Sequence, residues 1–270
     1  MKNTMTQRHI GFIGTGRIAQ ALIAGLVATP ETVISGYDKD PSTIAGVCGK
    51  FAVQSKPSLQ ELAASSTILV IAVKPYQVAG VIEELRPYLS DKHLLISVAA
   101  GISTEFIKSQ SERDIRVIRV MPNTPAFVGE GMTAVCRGSA ATDEDLALAK
   151  DIFLAIGKVA VVEETAMDAA TALSGSGPAY MFSILSSLAE GGTDCGLRHD
   201  DALLLAAQTM LGAAKMVLAG GKAPEELIRE VTTPGGTTEA GLRQMELHNM
   251  REILIDTVRA AAARSRELMK

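Results

Sequence analysis

Cysteine is scarce: Cys48, Cys136 and Cys195 are the only three, odd in number and far apart. No C-x-x-C pair or His/Cys cluster accompanies them, which argues against a disulfide framework or a structural zinc site. Long apolar runs are missing as well. The longest, Thr67 to Val73, falls far short of the ~20 residues that a membrane span requires. Neither sign of charge dominates, since 26 basic against 30 acidic residues leave a formal net charge of −4. That balance provides no electrostatic footprint for nucleic acid or an anionic membrane, so neither is expected as a partner. The four histidines, His9, His93, His199 and His248, form no pair at metal spacing and accompany no nucleophile, and no metal is expected. A G-x-S-x-G elbow and a Walker loop are absent too. Whatever chemistry the chain performs runs without a histidine base.

What is present is aliphatic: 47% of the residues are hydrophobic and 21% charged. Such a composition excludes a disordered chain and suits one large or two modest domains. The polar stretch Met1 to Ile10 reads as no signal peptide, and the chain as a cytoplasmic one. From there strands and helices alternate. His9 to Ile13, Thr32 to Tyr37 (after Thr29-Pro30), Thr67 to Val73, His93 to Val98 and Ile115 to Val120 predict strands. Met132 to Cys136 and Lys158 to Val162 extend the sheet. Helical patterns cover Arg17 to Val27, Ala79 to Leu85, Thr104 to Ser109 and Asp143 to Ile156. The β-branched run at 67–73 suits a strand buried on both faces of a parallel sheet. The expectation is an α/β fold: a Rossmann-type doubly wound sheet over residues 1–164, then an all-α domain over 165–270.

Within the second domain, Ala202 to Leu218 shows only Gln208, Thr209 and Lys215 as clearly polar side chains. A helix apolar nearly all round must be covered nearly all round. A domain of about a hundred residues hardly supplies that cover alone, which favours a partner chain over a monomeric bundle.

Gly14-Thr15-Gly16-Arg17-Ile18-Ala19 fits G-x-G-x-x-G/A between the first strand and the first helix. The first glycine permits a tight turn, the second lets backbone approach a pyrophosphate, and Ala19 lets helix and strand pack closely. A glycine turn without a ligand is the alternative. Asp38 ends the second strand about 20 residues later, where a carboxylate holds the ribose 2′-hydroxyl of NAD; its neighbour Lys39 would meet the 2′-phosphate of NADP. Tyr-Asp-Lys-Asp-Pro also fits a solvated turn. Ala72-Val73-Lys74-Pro75 ends the third strand, Ser97 to Gly101 the fourth and Met121-Pro122-Asn123-Thr124-Pro125 the fifth, all at the edge where open α/β sheets bind ligands.

In the second half, Leu173 to Tyr180 is a glycine-serine break between helices. Thr232 to Glu239 is another, leading into a short helix. Its glycines can turn N–H groups toward a carboxylate; equally, Thr237 or Thr238 can cap the helix with Glu239 in its first turn.

Met-Pro-Asn-Thr-Pro at 121–125 with Gly129-Glu130-Gly131-Met132, Ser-Gly-Ser-Gly-Pro-Ala-Tyr at 174–180 and Thr-Pro-Gly-Gly-Thr-Thr-Glu-Ala-Gly-Leu at 233–242 occur in order. With the glycine fingerprint and Ala-Val-Lys-Pro at 72–75, they closely resemble the pyrroline-5-carboxylate reductases, from about Ile10 to the C-terminus. The resemblance implies reduction of 1-pyrroline-5-carboxylate to L-proline by NADP or NAD in reduced form, NADPH slightly favoured. It also implies a homodimer interleaved through the helical domain, in the family often assembled into a decamer. It puts the cofactor against Ile13, Gly14, Thr15, Gly16, Arg17 and Ile18, against Ala72, Val73, Lys74, Pro75 and Ala100, and against the 121–125 loop with Met121 and Asn123. The substrate carboxylate falls to Gly236, Thr237 and Thr238, with the Thr238 hydroxyl on the ring nitrogen as the catalytic contact. Glu164 matches a substrate-side glutamate, or forms a surface acidic pair with Glu163. Arg17-Ile18 stands where bacterial members usually have Asn-Met, and Asp38-Lys39-Asp40 where many have an Asn-Arg-Ser type sequence. Ser58 stands near a family asparagine that meets the adenosine. A dehydrogenase of the β-hydroxyacid type is the nearest alternative enzyme, but Gly177 to Glu190 lacks the lysine it needs. A non-catalytic dinucleotide sensor is the other.

Overall fold

A computed structural model describes residues 7–29 and 32–268. Met1 to Thr6, and Pro30 of the Thr29-Pro30 pair that precedes the second strand, lie outside the described residues. Among those described, eight strands form one sheet: β1 (Arg8–Ile13), β2 (Thr32–Tyr37), β3 (Val53–Ser55), β4 (Ile68–Ile71), β5 (Leu94–Ser97), β6 (Arg116–Met121), β7 (Gly131–Arg137) and β8 (Gly157–Val161). Their order is β3-β2-β1-β4-β5-β6-β7-β8. The β6–β7 pair is antiparallel, and the other neighbours run parallel.

The sheet is wound on both faces. All four residues of β4 are buried, and successive side chains of a strand point to opposite faces. Ile68 and Val70 accordingly join one core with α1 (Arg17–Leu26) and α6 (Asp143–Leu154). Leu69 and Ile71 join the other, with α3 (Leu59–Ser65), α4 (Val78–Leu85) and α5 (Thr104–Ser111).

Two helices and one strand depart from the sequence reading. α2 (Pro41–Cys48) follows the Asp-Pro pair read there as a turn: Asp40 is its N-cap, accepting from the Ser42 N–H at 2.9 Å, and Pro41 occupies the first helical position. Ser58 caps α3, accepting from the Glu61 N–H at 3.2 Å, so its hydroxyl is spent on a helix start. β3 is three residues long and pairs with β2 alone.

From Glu164 onward the described chain is helical, as expected. α7 (Met167–Ala170) runs into a wide π-turn at Thr171–Gly175; then follow α8 (Gly177–Asp194), α9 (His199–Leu218), α10 (Pro224–Val231), α11 (Thr237–Leu247) and α12 (Met250–Leu268). The described residues form two compact units, one up to Ser176 together with the stretch from Ala261, the other Gly177–Ala260. In the first unit Ser265 Oγ donates to Asp168 Oδ1 at 2.7 Å, both residues buried, which pins the end of α12 to α7. In the second, α8 packs on α9 closely enough that a Cβ on Gly192 would lie 3.1 Å from the Ala202 methyl.

α9 stands apart in composition. Among the described residues it is the one helix long and apolar enough to cross a membrane, with mean hydropathy 1.3, by length and composition alone. Gln208, Thr209 and Lys215 interrupt its sequence, so no continuous apolar run reveals it. Only Ala202 of this helix is buried within one chain; Leu204 is 68% exposed and Leu218 63%.

Candidate active site

The strand order reverses between β1 and β4, where the winding passes from one side of β1 to the other. A cleft of about 490 Å³ opens at the C-terminal ends of the strands there, the position at which doubly wound sheets take ligands. Twelve of the expected cofactor residues line it: Ile13, Gly14, Gly16, Arg17 and Ile18 after β1, Asp38 and Lys39 after β2, Ala72 to Pro75 after β4, and Ala100 after β5. Its wall is completed by Tyr37, Leu59, Gln77, Val81 and Glu84, which the sequence reading did not single out. The Ser58-to-Glu61 capping spacing, an S-x-x-E signature, marks the α3 start that places Leu59.

The two fingerprint glycines differ in cause. Gly14 has φ +85°, and a Cβ there would lie 2.8 Å from the Ala72 carbonyl oxygen, so the fold itself demands glycine. Gly16 has an ordinary φ of −68°, and a Cβ there would meet no protein atom within 4 Å. Nothing in the protein's own packing requires a glycine at 16; the open space above it faces the cleft.

Cations border this space. The Arg17 guanidinium lies over the Phe127 ring, 5.2 Å from its centroid, a cation–π contact that holds the side chain at the start of α1. Lys39 and Lys74 also line the cleft, and neither is ion-paired among the described residues.

Three expected cofactor residues lie elsewhere. Thr15 is wholly buried behind the turn, its N–H and hydroxyl both donating to Asp38 Oδ2 at 2.7 and 3.0 Å. Asn123 is buried, donating from Nδ2 to the Ser174 carbonyl at 3.0 Å and accepting the Met132 N–H at 2.8 Å. Met121 packs with Ala134, Cys136 and Met167. Neither lines the cleft, because the turn after β6 directs both toward the π-turn at 171–175.

Glu164 sits in neither a surface pair nor the cleft. Its carboxylate accepts from the Thr104 N–H at 2.8 Å and the Thr104 hydroxyl at 2.5 Å, and lies 3.5 Å from the guanidinium of buried Arg119. The neighbouring Cys136 thiol is pushed up to about 12 by burial first and by Glu164 second, which keeps it protonated and unreactive. His93 is likewise structural: Nδ1 accepts from the Ser90 N–H, and Nε2 lies 3.1 Å from the Ala63 carbonyl.

In the second unit, the segment 232–239 makes a turn with Gly235 at φ +73° and enters α11 with Gly236 as N-cap. Thr237 and Thr238 are the first two helical residues and not caps. Glu239 reaches back to accept the Gly235 N–H at 2.8 Å. No side chain caps this helix, so its first N–H groups stay available to an anion.

Sheet, cleft and glycine turn together define a nicotinamide-dependent oxidoreductase of the Rossmann class. Residues 9–101 match the family model described as NADP oxidoreductase coenzyme F420-dependent, and residues 164–268 match that of pyrroline-5-carboxylate reductase dimerisation. The pyrroline-5-carboxylate reductase of Arabidopsis thaliana is 42% identical over 263 residues, covering 96% of this chain and 95% of that protein. A pyrroline-5-carboxylate reductase structure from Coxiella burnetii matches with a TM-score of 0.92 at 35% identity, over 98% of this chain and 100% of that one. Another, from Plasmodium falciparum with NADP bound, gives 0.87 at 30% identity over 98% and 100%. The chain belongs to the pyrroline-5-carboxylate reductase family, as its motifs implied.

Proposed function

We propose that the protein reduces the C=N bond of 1-pyrroline-5-carboxylate to L-proline, the last step of proline biosynthesis, with NADPH as the better of two usable donors. The observation that carries the cofactor half is Gly16, which lines the switch-point cleft at the start of α1 with open space where a side chain would stand. The N–H groups at the start of α1 and the Arg17 guanidinium hold the pyrophosphate. Lys39 and Lys74 favour the 2′-phosphate, and Asp38 beside them moderates that preference. When bound, the reduced nicotinamide supplies a hydride to the imine carbon.

On the substrate side, the N–H groups of Thr237 and Thr238 receive the carboxylate; that of Gly236, expected with them, already donates to the Thr233 carbonyl at 2.9 Å. The Thr238 hydroxyl orients the ring nitrogen. A protonated imine arrives already activated, so the protein's task is orientation and no histidine base is required. Glu164 enters this reading as an anchor of the junction at 164, since both its oxygens are engaged by Thr104. Asn123 and Met121 support the turn at 171–175. We assign residues 1–164 to the cofactor and 165–270 to substrate and subunit pairing. The apolar surface of α9 we assign to a twin subunit, with a decamer of five dimers as the full assembly and the cytoplasm as its location.

Oxidation of NADPH and NADH by purified protein with synthetic pyrroline-5-carboxylate, with L-proline identified as product, tests the reading. Turnover with the larger kcat/KM for NADPH is expected. Folded, cofactor-binding protein that oxidises neither would overturn it.

A further inference from the structure

We propose that Asp38 serves the cofactor site as a positioning residue, acting through Thr15, and not chiefly as a partner of the cofactor's ribose. The inference rests on the reading of the cleft as a dinucleotide site. Thr15, between the two fingerprint glycines, is wholly buried and does not line the cleft. Its N–H donates to Asp38 Oδ2 at 2.7 Å and its hydroxyl to the same oxygen at 3.0 Å. Asp38 Oδ1 accepts the Asp40 N–H at 3.0 Å. A carboxylate oxygen offers about two acceptor positions, so Oδ2 is filled from within the protein and Oδ1 is half used.

Other contacts complete the clasp. The Thr15 carbonyl accepts from Gln20 Nε2 at 2.9 Å, and the Gly14 N–H donates to the Tyr37 carbonyl at 2.9 Å. The Thr15 methyl lies where a side chain at position 36 would begin, 3.2 Å from a Cβ built on Gly36. Gly14 and Gly16 have no side chains by which a turn can be fixed, so Thr15 is the handle of the glycine turn. Asp38 grips it with charge-assisted bonds, roughly twice as strong as neutral ones. A turn held in this way presents its amides to a pyrophosphate without first being ordered.

The two roles separate by substitution in the full-length protein, with affinities for NADH and NADPH measured by calorimetric titration and melting temperatures followed in parallel. Thr15→Val removes one bond of the clasp and leaves the Asp38 charge in place. A positioning role weakens both dinucleotides by a similar factor, about fivefold for one lost hydrogen bond, with the NADH/NADPH ratio unchanged and Thr15→Ser restoring both. Asp38→Asn can still accept both Thr15 donors through Oδ1, and is expected to retain more NADH affinity than Asp38→Ala. Unchanged or tighter NADH binding in Thr15→Val, or a loss in Asp38→Ala confined to NADH, would overturn the proposal and leave Asp38 a ribose ligand. Wild-type protein that binds neither dinucleotide would remove the cleft assignment, and the clasp with it.

Discussion

Asn123 holds Ser174: across 51 residues of sequence, its side-chain amide donates to the Ser174 carbonyl at 3.0 Å while its oxygen takes the Met132 N–H. One buried amide thus ties the turn after β6 to the Ser-Gly-Ser-Gly segment and to β7. Asn123→Asp puts a second acceptor against the Ser174 carbonyl and should destabilise the fold by about 1–3 kcal/mol, the cost of a buried group left without its partner. Urea denaturation of the two proteins measures it, and an unchanged midpoint would show the amide to be dispensable.

The open space over Gly16 leads to the opposite expectation, a folded protein without its cofactor. Gly16→Val should keep its circular dichroism spectrum and lose NADPH affinity by at least about tenfold, some 1.4 kcal/mol. Titration of the variant with NADPH settles the point, and wild-type affinity would place the pyrophosphate elsewhere.

At the other candidate contact, Thr238→Ala should fold normally and lose kcat/KM by about 10- to 100-fold, the range expected for one hydrogen bond to a charged group. Thr238→Ser, which retains the hydroxyl, should recover most of the loss. Steady-state kinetics of both variants compares them, and equal rates would remove the hydroxyl from the reaction.

How much of this was legible in the chain follows from the range of the forces involved. β2 stands at the predicted Thr32–Tyr37, and the other predicted strands fall within two residues of theirs, because a strand buried on both faces writes itself as a continuous aliphatic run. β3 escaped: Val53-Gln54-Ser55 is too short for any period, and two of its three residues are exposed. α2 and α3 escaped as well: their start signals, the caps at Asp40 and Ser58, stand without a helical period strong enough to mark them. The cleft was legible because its residues follow strand ends, which local pattern locates. The hydrogen-bond partners of Asn123 and Glu164 were not, since they lie 51 and 60 residues away, and no local pattern tells where a side chain turns.

Glu164 and Arg119 offer a check on that long-range contact. Arg119 is 3% exposed, and Glu164→Ala would leave its guanidinium buried without an ion pair. A fully buried pair costs ~3–5 kcal/mol to break. With Glu164 30% exposed, we expect about 2 kcal/mol here, read as a lower unfolding midpoint. A midpoint equal to wild type would mean that solvent reaches the guanidinium freely.

Cys136 carries a pH signature. Its thiol is raised from 9.0 to about 12 in the folded chain, so the folded state keeps its proton where the unfolded state releases it. Stability from this group is complete below pH 9 and declines between pH 9 and about 12, by at most ~1.4 kcal/mol per pH unit. Iodoacetamide at pH 8 should therefore leave position 136 unmodified in native protein and modify it after denaturation. Mass spectrometry of the peptide that carries it distinguishes the two, and labelling of the native protein would contradict the burial.

The uncovered leucines of α9 bear on how folding depends on protein concentration. If a second chain covers that surface, the monomer never experiences the full stability of the native state, and each dilution removes part of it. The apparent melting temperature should then climb with the logarithm of protein concentration, as for any fold whose ligand is itself.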